Sequence, residues 1–318
     1  MLTKGDWGVF EFDILAEKVL LFVLLMIPGY VLAKCRKLGE EAIPGMTVMI
    51  TTVSMPCLVV VKLLEVDIAS IGIMKALFCI VHIPLLIITL LFFANRLFKG
   101  REVEKFCSFF SNCGFLALPL AAVMFPDKPE VTVYISMCNI AYSILILTLG
   151  KGIFSGEKEK LSGILIKPVT VAFVIGVIMS LLKVGEKVPS AVTYTEFFAS
   201  LTTPLSMTIL GYELAHISIK KMFLTPSLYA VAVVKLFVYP LAGFGIILLF
   251  DCIPGFDVTP EMSSAIFLAT GVSTAALAPA LARDCGKDSS LASIITVGTT
   301  ILSVITLPIM SLIFEMIF

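Results

Sequence analysis

Charge is scarce in this sequence. Of 318 residues only 14% are Asp, Glu, Lys or Arg, against roughly a quarter in soluble globular domains, so a water-soluble fold would lack the polar surface to cover itself. The 23 basic and 23 acidic residues cancel, and no basic face invites nucleic acid. Histidine is almost absent: His82 and His216 are the whole complement, which removes a histidine-rich metal site. The eight cysteines (Cys35, Cys57, Cys79, Cys107, Cys113, Cys138, Cys252 and Cys285) form no C-x-x-C pair. Most lie inside apolar runs and read as small buried hydrophobes. H-E-x-x-H, G-x-S-x-G and paired membrane aspartates are missing too, which argues against an intramembrane enzyme. No cofactor and no metal is expected.

What is abundant is apolar sequence, at 59%. A membrane span needs about 20 apolar residues, and ten such segments can be drawn, at roughly 14–34, 43–64, 70–95, 104–125, 130–152, 164–183, 192–216, 225–250, 261–282 and 290–315. Runs this long exclude the short alternating strands of a membrane barrel. The reading is an all-α membrane protein of ten transmembrane helices. The first run follows Asp6, Glu11 and Asp13 with no small-residue cleavage site, so a retained span is expected rather than a signal peptide. Trp7 and Phe10 are expected to anchor the outer interface. Connections after spans 1, 3, 5, 7 and 9 carry most of the basic residues, among them Arg36, Lys37, Arg96, Arg101, Lys151, Lys220, Lys221, Arg283 and Lys287. Positive charge stays in the cytoplasm, so a cell-membrane protein with both termini outside is predicted.

Prolines inside the spans repeat. Pro56 of span 2 matches Pro204 of span 7, each with a Glu nine residues on, at Glu65 and Glu213. Pro84 of span 3 matches Pro240 of span 8, and Pro119 of span 4 matches Pro279 of span 9. The offsets are 148, 156 and 160, a slow rise that short insertions would produce. This pattern predicts two five-helix repeats, 1–155 and 156–318. Five is odd, so the second copy sits upside down. Inverted repeats are a recurrent design of secondary transporters, because opposed halves supply inward-open and outward-open states.

Spans 4 and 9 are unusually polar around their prolines. Span 4 carries Ser111, Asn112, Cys113 and Gly114 ahead of Pro119, and span 9 carries Thr270, Gly271, Ser273 and Thr274 ahead of Pro279. A proline removes one N–H and displaces the carbonyl four residues earlier, here Phe115 and Ala275. Two readings follow: packing kinks, with Gly114 and Gly271 admitting a close neighbour, or a pair of broken helices crossing at their prolines around a midplane site. Half-helix N-termini there favour an anion, and the Asn112 amide has two hydrogens to offer a carboxylate.

These stretches resemble the auxin efflux carrier family, within the wider bile-acid and auxin transporter fold. The resemblance is carried by Asn112-Cys113-Gly114-Phe115 through Pro119, by Ala278-Pro279-Ala280, and by Ser303 with Thr306-Leu307-Pro308. It implies helices 4 and 9 crossing at their prolines, a transport unit of spans 3–5 and 8–10, and a scaffold of spans 1, 2, 6 and 7 that also makes a homodimer. It further implies transport of small organic anions such as malate or malonate. The mechanism expected is alternating access, driven by H+, by the membrane potential or by exchange. Of the asparagine-proline-asparagine signature of plant members only Asn112 has a counterpart, and 153–163 replaces their long central loop. An organic-acid permease is favoured over an auxin carrier.

Several polar residues stand apart from the breaks. Lys235 lies about ten residues into span 8, about 15 Å at the rise of a helix. It either pairs with Glu213, attracts the substrate, or snorkels to the interface. His82 is a proton-relay or packing histidine. Asn139 and Tyr142, one turn apart in span 5, line the cavity or bond between helices, and Thr52, Ser54 and Ser206 are minor scaffold candidates. Sodium coupling through oxygens of Ser111, Asn112, Thr270 and Ser273 is an alternative, weakened by the lack of a carboxylate beside them. A metabolite sensor acting through a protein partner is another.

Overall fold

The computed structural model describes residues 12–66, 73–155 and 168–317, and the regular elements among them are all helical. Trp7, Phe10 and the boundary between the two expected repeats lie outside the described residues. In chain order the main helices are α1 (Phe12–Lys34), α2 (Ala42–Leu64), α3 (Ile73–Leu97), α4 (Glu102–Phe109), α5 (Cys113–Met124) and α6 (Pro129–Ser155). There follow α7 (Pro168–Leu181), α8 (Pro189–Ala199), α9 (Thr202–His216), α10 (Pro226–Asp251), α11 (Pro260–Gly271), α12 (Ala278–Asp284) and α13 (Ser289–Ile317). Each expected span coincides with one helix, or with two short ones where the chain is interrupted: α4 and α5 for span 4, α8 and α9 for span 7, α11 and α12 for span 9.

Five helices among the described residues, lying within α2, α3, α6, α10 and α13, are each long and apolar enough to cross a membrane. Their outer faces show the solvent they are made for. On α3 the residues Leu77, Val81, Leu85, Ile88 and Phe92 are exposed at helical spacing, while Phe78, Cys79, His82, Ile83 and Leu86 face the interior. In water the exposed stripe of such a helix would be polar; here it is as apolar as the buried one. Polar groups collect inside instead, including Ser108, Ser111, Asn112, Thr270, Ser273, Thr274 and Thr299.

Prolines are absorbed by widened turns. The π-turns Ile50–Ser54, Cys113–Ala117 and Val234–Val238 each end two residues before a proline, at Pro56, Pro119 and Pro240. The wide turn lets the chain skip the missing N–H, so the helix continues where a regular ladder would break. Pro84 is carried within α3.

The packing falls into two groups. α1 lies against α9, and α2 against α7 and α8, while α3, α6, α10, α11 and α13 pack among themselves with α4 and α12. α1 and α9 touch so closely that a Cβ on Gly29 would strike the Thr208 carbonyl, and one on Gly211 the Met26 carbonyl. A Cβ on Gly176 of α7 would likewise meet Leu63 Cδ1 at 2.7 Å and Val60 Cα at 3.3 Å in α2. The Ser180 hydroxyl donates to the Val66 carbonyl at 3.0 Å, so α2 and α7 run in the same direction.

Candidate functional site

The two interrupted helices meet. α4 ends at Phe109 and α11 at Gly271, and the extended residues beyond them pair as one antiparallel bridge, Ser111 with Thr274. The Asn112 N–H donates to the Ser273 carbonyl and the Ala275 N–H to the Phe110 carbonyl, both at 2.8 Å. Backbone groups that a continuous helix would satisfy internally are satisfied here across the crossover, as apolar surroundings require. Thr274 completes the join: its hydroxyl donates to the Cys107 carbonyl at 2.7 Å, and its N–H to Thr299 Oγ1 of α13 at 3.2 Å.

The crossing point differs from the expected one. The chain is interrupted eight residues before Pro119 and five before Pro279, not at the prolines. Pro119 and Pro279 each take the second position of the helical turn that follows, where no N–H is needed. Nor is the carbonyl of Ala275 left free, since it accepts from the Ala278 N–H at 3.0 Å, and Phe115 lies within the π-turn Cys113–Ala117. The small and polar residues break these helices, and the prolines restart them.

Into the crossover reaches Lys235, fully buried at 0% exposure, from the π-turn Val234–Val238 of α10. Its Nζ donates to Ser111 Oγ at 2.7 Å and to the Thr270 carbonyl at 2.6 Å, and stands 4.5 Å from the centre of the Tyr239 ring. Among the described residues no carboxylate pairs with it. The expected ion pair with Glu213 does not form: Glu213 sits half-buried on α9, in the other packing group. Snorkelling is excluded as well, because the ammonium points inward. Ser111 Oγ passes its own hydrogen to Tyr142 Oη at 3.0 Å, and the Tyr142 and Tyr239 hydroxyls are 3.0 Å apart. A chain of hydroxyls thus runs from the lysine into α6.

Two side chains at the crossover are buried and unsatisfied. Among the described residues nothing accepts from Asn112 Nδ2, and Ser273 Oγ has no hydrogen-bond partner. Buried polar groups are normally paired, so each such exception calls for an explanation. Gly114 leaves room nearby for Asn139, whose Oδ1 would stand 3.2 Å from a Cβ there. Gly271 ends α11, with Leu307 of α13 packed 3.0 Å from where its Cβ would be.

Other expected residues lie elsewhere. His82 is one layer removed, with Nε2 donating to the Gly243 carbonyl of α10 at 2.8 Å and Phe78 against its ring. Ser54 donates to the Phe198 carbonyl and Ser206 to the Thr203 carbonyl, so both hydroxyls are bound up in backbone. The Glu65 counterpart of Glu213 pairs with Lys62 at 2.7 Å. Tyr239 and Thr299 were not singled out from sequence. Tyr239 stands one helical turn beyond Lys235 and beside a repeated proline, a signal that was available; Thr299 had none.

Next to the crossover, α1, α5, α9 and α13 line a partly open apolar cavity of about 20 Å³, with Phe22, Met26, Leu116, Leu120, Met207 and Leu307 among its walls. That is room for about one water. A second, polar recess of about 380 Å³ lies at one end of the helices between Lys75, Asp127, Lys128, Glu130 and Glu261.

Comparison with known proteins agrees with this architecture. The family model described as "membrane transport protein" matches in two stretches, residues 14–164 and 160–311. The chain is also similar to an uncharacterized transporter of Methanothermobacter thermautotrophicus, 26% identical over 309 residues that cover 93% of this chain and 97% of that protein. Because that family model covers both halves of the chain, this all-helical, multi-pass membrane protein is a transporter and not an enzyme, and it belongs to the membrane transport protein family, that of the auxin efflux carriers.

Proposed function

We propose that the protein is a secondary carrier of small organic anions working by alternating access, with the carboxylate bound at the crossover. The observation that carries this reading is the coincidence at one place of a buried ammonium, Lys235, and two unsatisfied polar side chains, Asn112 and Ser273, on helices interrupted in mid-course. Unsatisfied buried groups cost stability, and a ligand that arrives there recovers it. Ser111, Gly114, Asn139, Tyr142, Gly271 and Thr274 shape the same place, while Pro119 and Pro279 restart the helices beyond it.

Two inverted halves, 1–155 and 156–318, supply the alternation. The close contact of Gly29 with Thr208 is repeated by that of Gly176 with Val60, the partners being offset by 147 and 148 residues, as Pro56 and Pro204 are. The division of the family match near residue 160 supports the same boundary. In this reading spans 1, 2, 6 and 7 form the scaffold and a homodimer contact, and spans 3–5 and 8–10 the moving unit. Ion pairs and hydrogen bonds gather the basic connections at one end: Arg101 with Glu104 and Ser227, and Lys287 with Glu102. By the positive-inside rule that end is cytoplasmic and both termini are outside. In this reading the substrate binds when unit and scaffold separate. Transport is driven by protons or by the membrane potential.

Proteoliposomes test this. Saturable uptake of a small dicarboxylate under a proton gradient or a potential is expected, lost in Asn112→Ala. Absence of saturable uptake for every mono- and dicarboxylate tried, under either gradient, would overturn the reading.

A further inference from the structure

The Lys235 contacts define a binding site in their own right. The Thr270 carbonyl stands at the C-terminal end of α11, where four carbonyls lose their helical partners and the dipole concentrates negative charge. The N–H that would have taken it, that of Thr274, is turned to Thr299 instead. Ser111 Oγ gives its hydrogen to Tyr142 and so presents only lone pairs to the lysine. The Tyr239 ring offers its negative face at 4.5 Å. All three surfaces attract positive charge, and among the described residues no anion neutralises it. Carbonyls at interrupted helices are how carriers of this general design hold a coupling ion.

We propose that Ser111 Oγ, the Thr270 carbonyl and the Tyr239 ring form a seat for one monovalent cation, and that the Lys235 ammonium fills it from within the chain. The inference deepens the carrier reading and rests on it only where transport is concerned. A tethered cation makes a free sodium ion unnecessary, because the group that bridges Ser111 and Thr270 is carried by the chain itself. Removing the side chain beyond Cβ uncovers the seat and leaves a space shaped like n-propylammonium, which has the three carbons and the nitrogen that Lys235→Ala deletes.

The test is thermal unfolding of purified protein in detergent, at constant ionic strength, in choline, sodium or n-propylammonium chloride. The wild type is expected to unfold at one temperature in all three. Lys235→Ala is expected to unfold earlier in choline and to be stabilised, saturably and by several degrees, by n-propylammonium and by sodium. If Lys235→Ala does not fold, Lys235→Met fills the space without charge and Ser111→Ala keeps the lysine but removes one acceptor. Both should then be less stable than wild type, with Lys235→Met the more affected. The proposal is overturned if a folded Lys235→Ala does not distinguish the three salts, if Lys235→Met equals wild type, or if sodium specifically stabilises the wild type. None of these outcomes depends on uptake, so failure of the seat and failure of the carrier reading are separable. In the proteoliposome assay, replacing sodium by choline should leave wild-type uptake unchanged, and sodium-dependent uptake would count against the seat alone.

Discussion

Neighbouring hydroxyls at the crossover should respond to deletion with opposite signs. Thr274 Oγ1 donates at 2.7 Å to the Cys107 carbonyl, which lost its helical partner when α4 ended. Thr274→Val keeps the shape and leaves that carbonyl buried and unpaired. An unsatisfied buried group costs about 1–3 kcal/mol, whereas interhelical hydrogen bonds in membranes average about 0.6 and reach about 1.7 kcal/mol; a loss of about 1–2 kcal/mol is expected. Ser273 Oγ is fully buried with no partner among the described residues, so Ser273→Ala removes an unmet cost and should gain about 1 kcal/mol. At roughly 2 °C per kcal/mol for a chain of this size, the two variants should differ by about 4–6 °C. A thiol-reactive dye can follow unfolding, because Cys79, Cys107, Cys113 and Cys138 are buried until the structure opens. If Ser273→Ala proved as destabilising as Thr274→Val, the hydroxyl would be engaged in the folded protein and the argument for an open ligand position would fail. The same Ser273→Ala protein should lose carboxylate-induced stabilisation, which separates a ligand contact from a mere packing defect.

Three further outcomes are expected. Gly211→Val drives a side chain into the Met26 carbonyl of α1 and should cost about 3 kcal/mol, read as a large drop in unfolding temperature or aggregation on gel filtration; an unchanged profile would mean that α1 and α9 are further apart. Cys35 and Cys252 are both exposed and follow spans 1 and 8, so a membrane-impermeant maleimide should label Cys252 on intact cells and Cys35 only after lysis. The reverse pattern would invert the topology. The ion pair of Lys128 with Glu261, 3.2 Å long and partly solvated, should contribute less than about 1 kcal/mol, so Lys128→Ala should unfold within a degree or two of wild type.

Membership of the membrane, the location of the helices and the broken character of spans 4 and 9 were legible in the sequence. Each depends on local composition: continuous apolar runs, and polar and small residues in the middle of two of them. Ser111, Asn112, Ser273 and Thr274 follow from that signal, Tyr142 from its place on one face of span 5, and the structure brings them together. The exact breaking point was misjudged because a proline looks like the cause of an interruption. Here a π-turn accommodates Pro119, and the extended residues Phe110 to Asn112 make the break.

The sequence by itself determined that nearly everything in this chain must lie in hydrocarbon, and that a few polar residues must be sheltered from it. Only the tertiary structure decided where they find shelter. In sequence Lys235 has three readings: a pair with Glu213, attraction of the substrate, or snorkelling to the interface. The fold placed the ammonium instead among the Thr270 carbonyl of α11, the Ser111 hydroxyl from the break between α4 and α5, and the Tyr239 ring one turn along its own helix. Apolar periodicity is a property of neighbours along the chain and can be read there; which acceptors converge on a buried cation is set by how separated helices cross, and no run of residues records it.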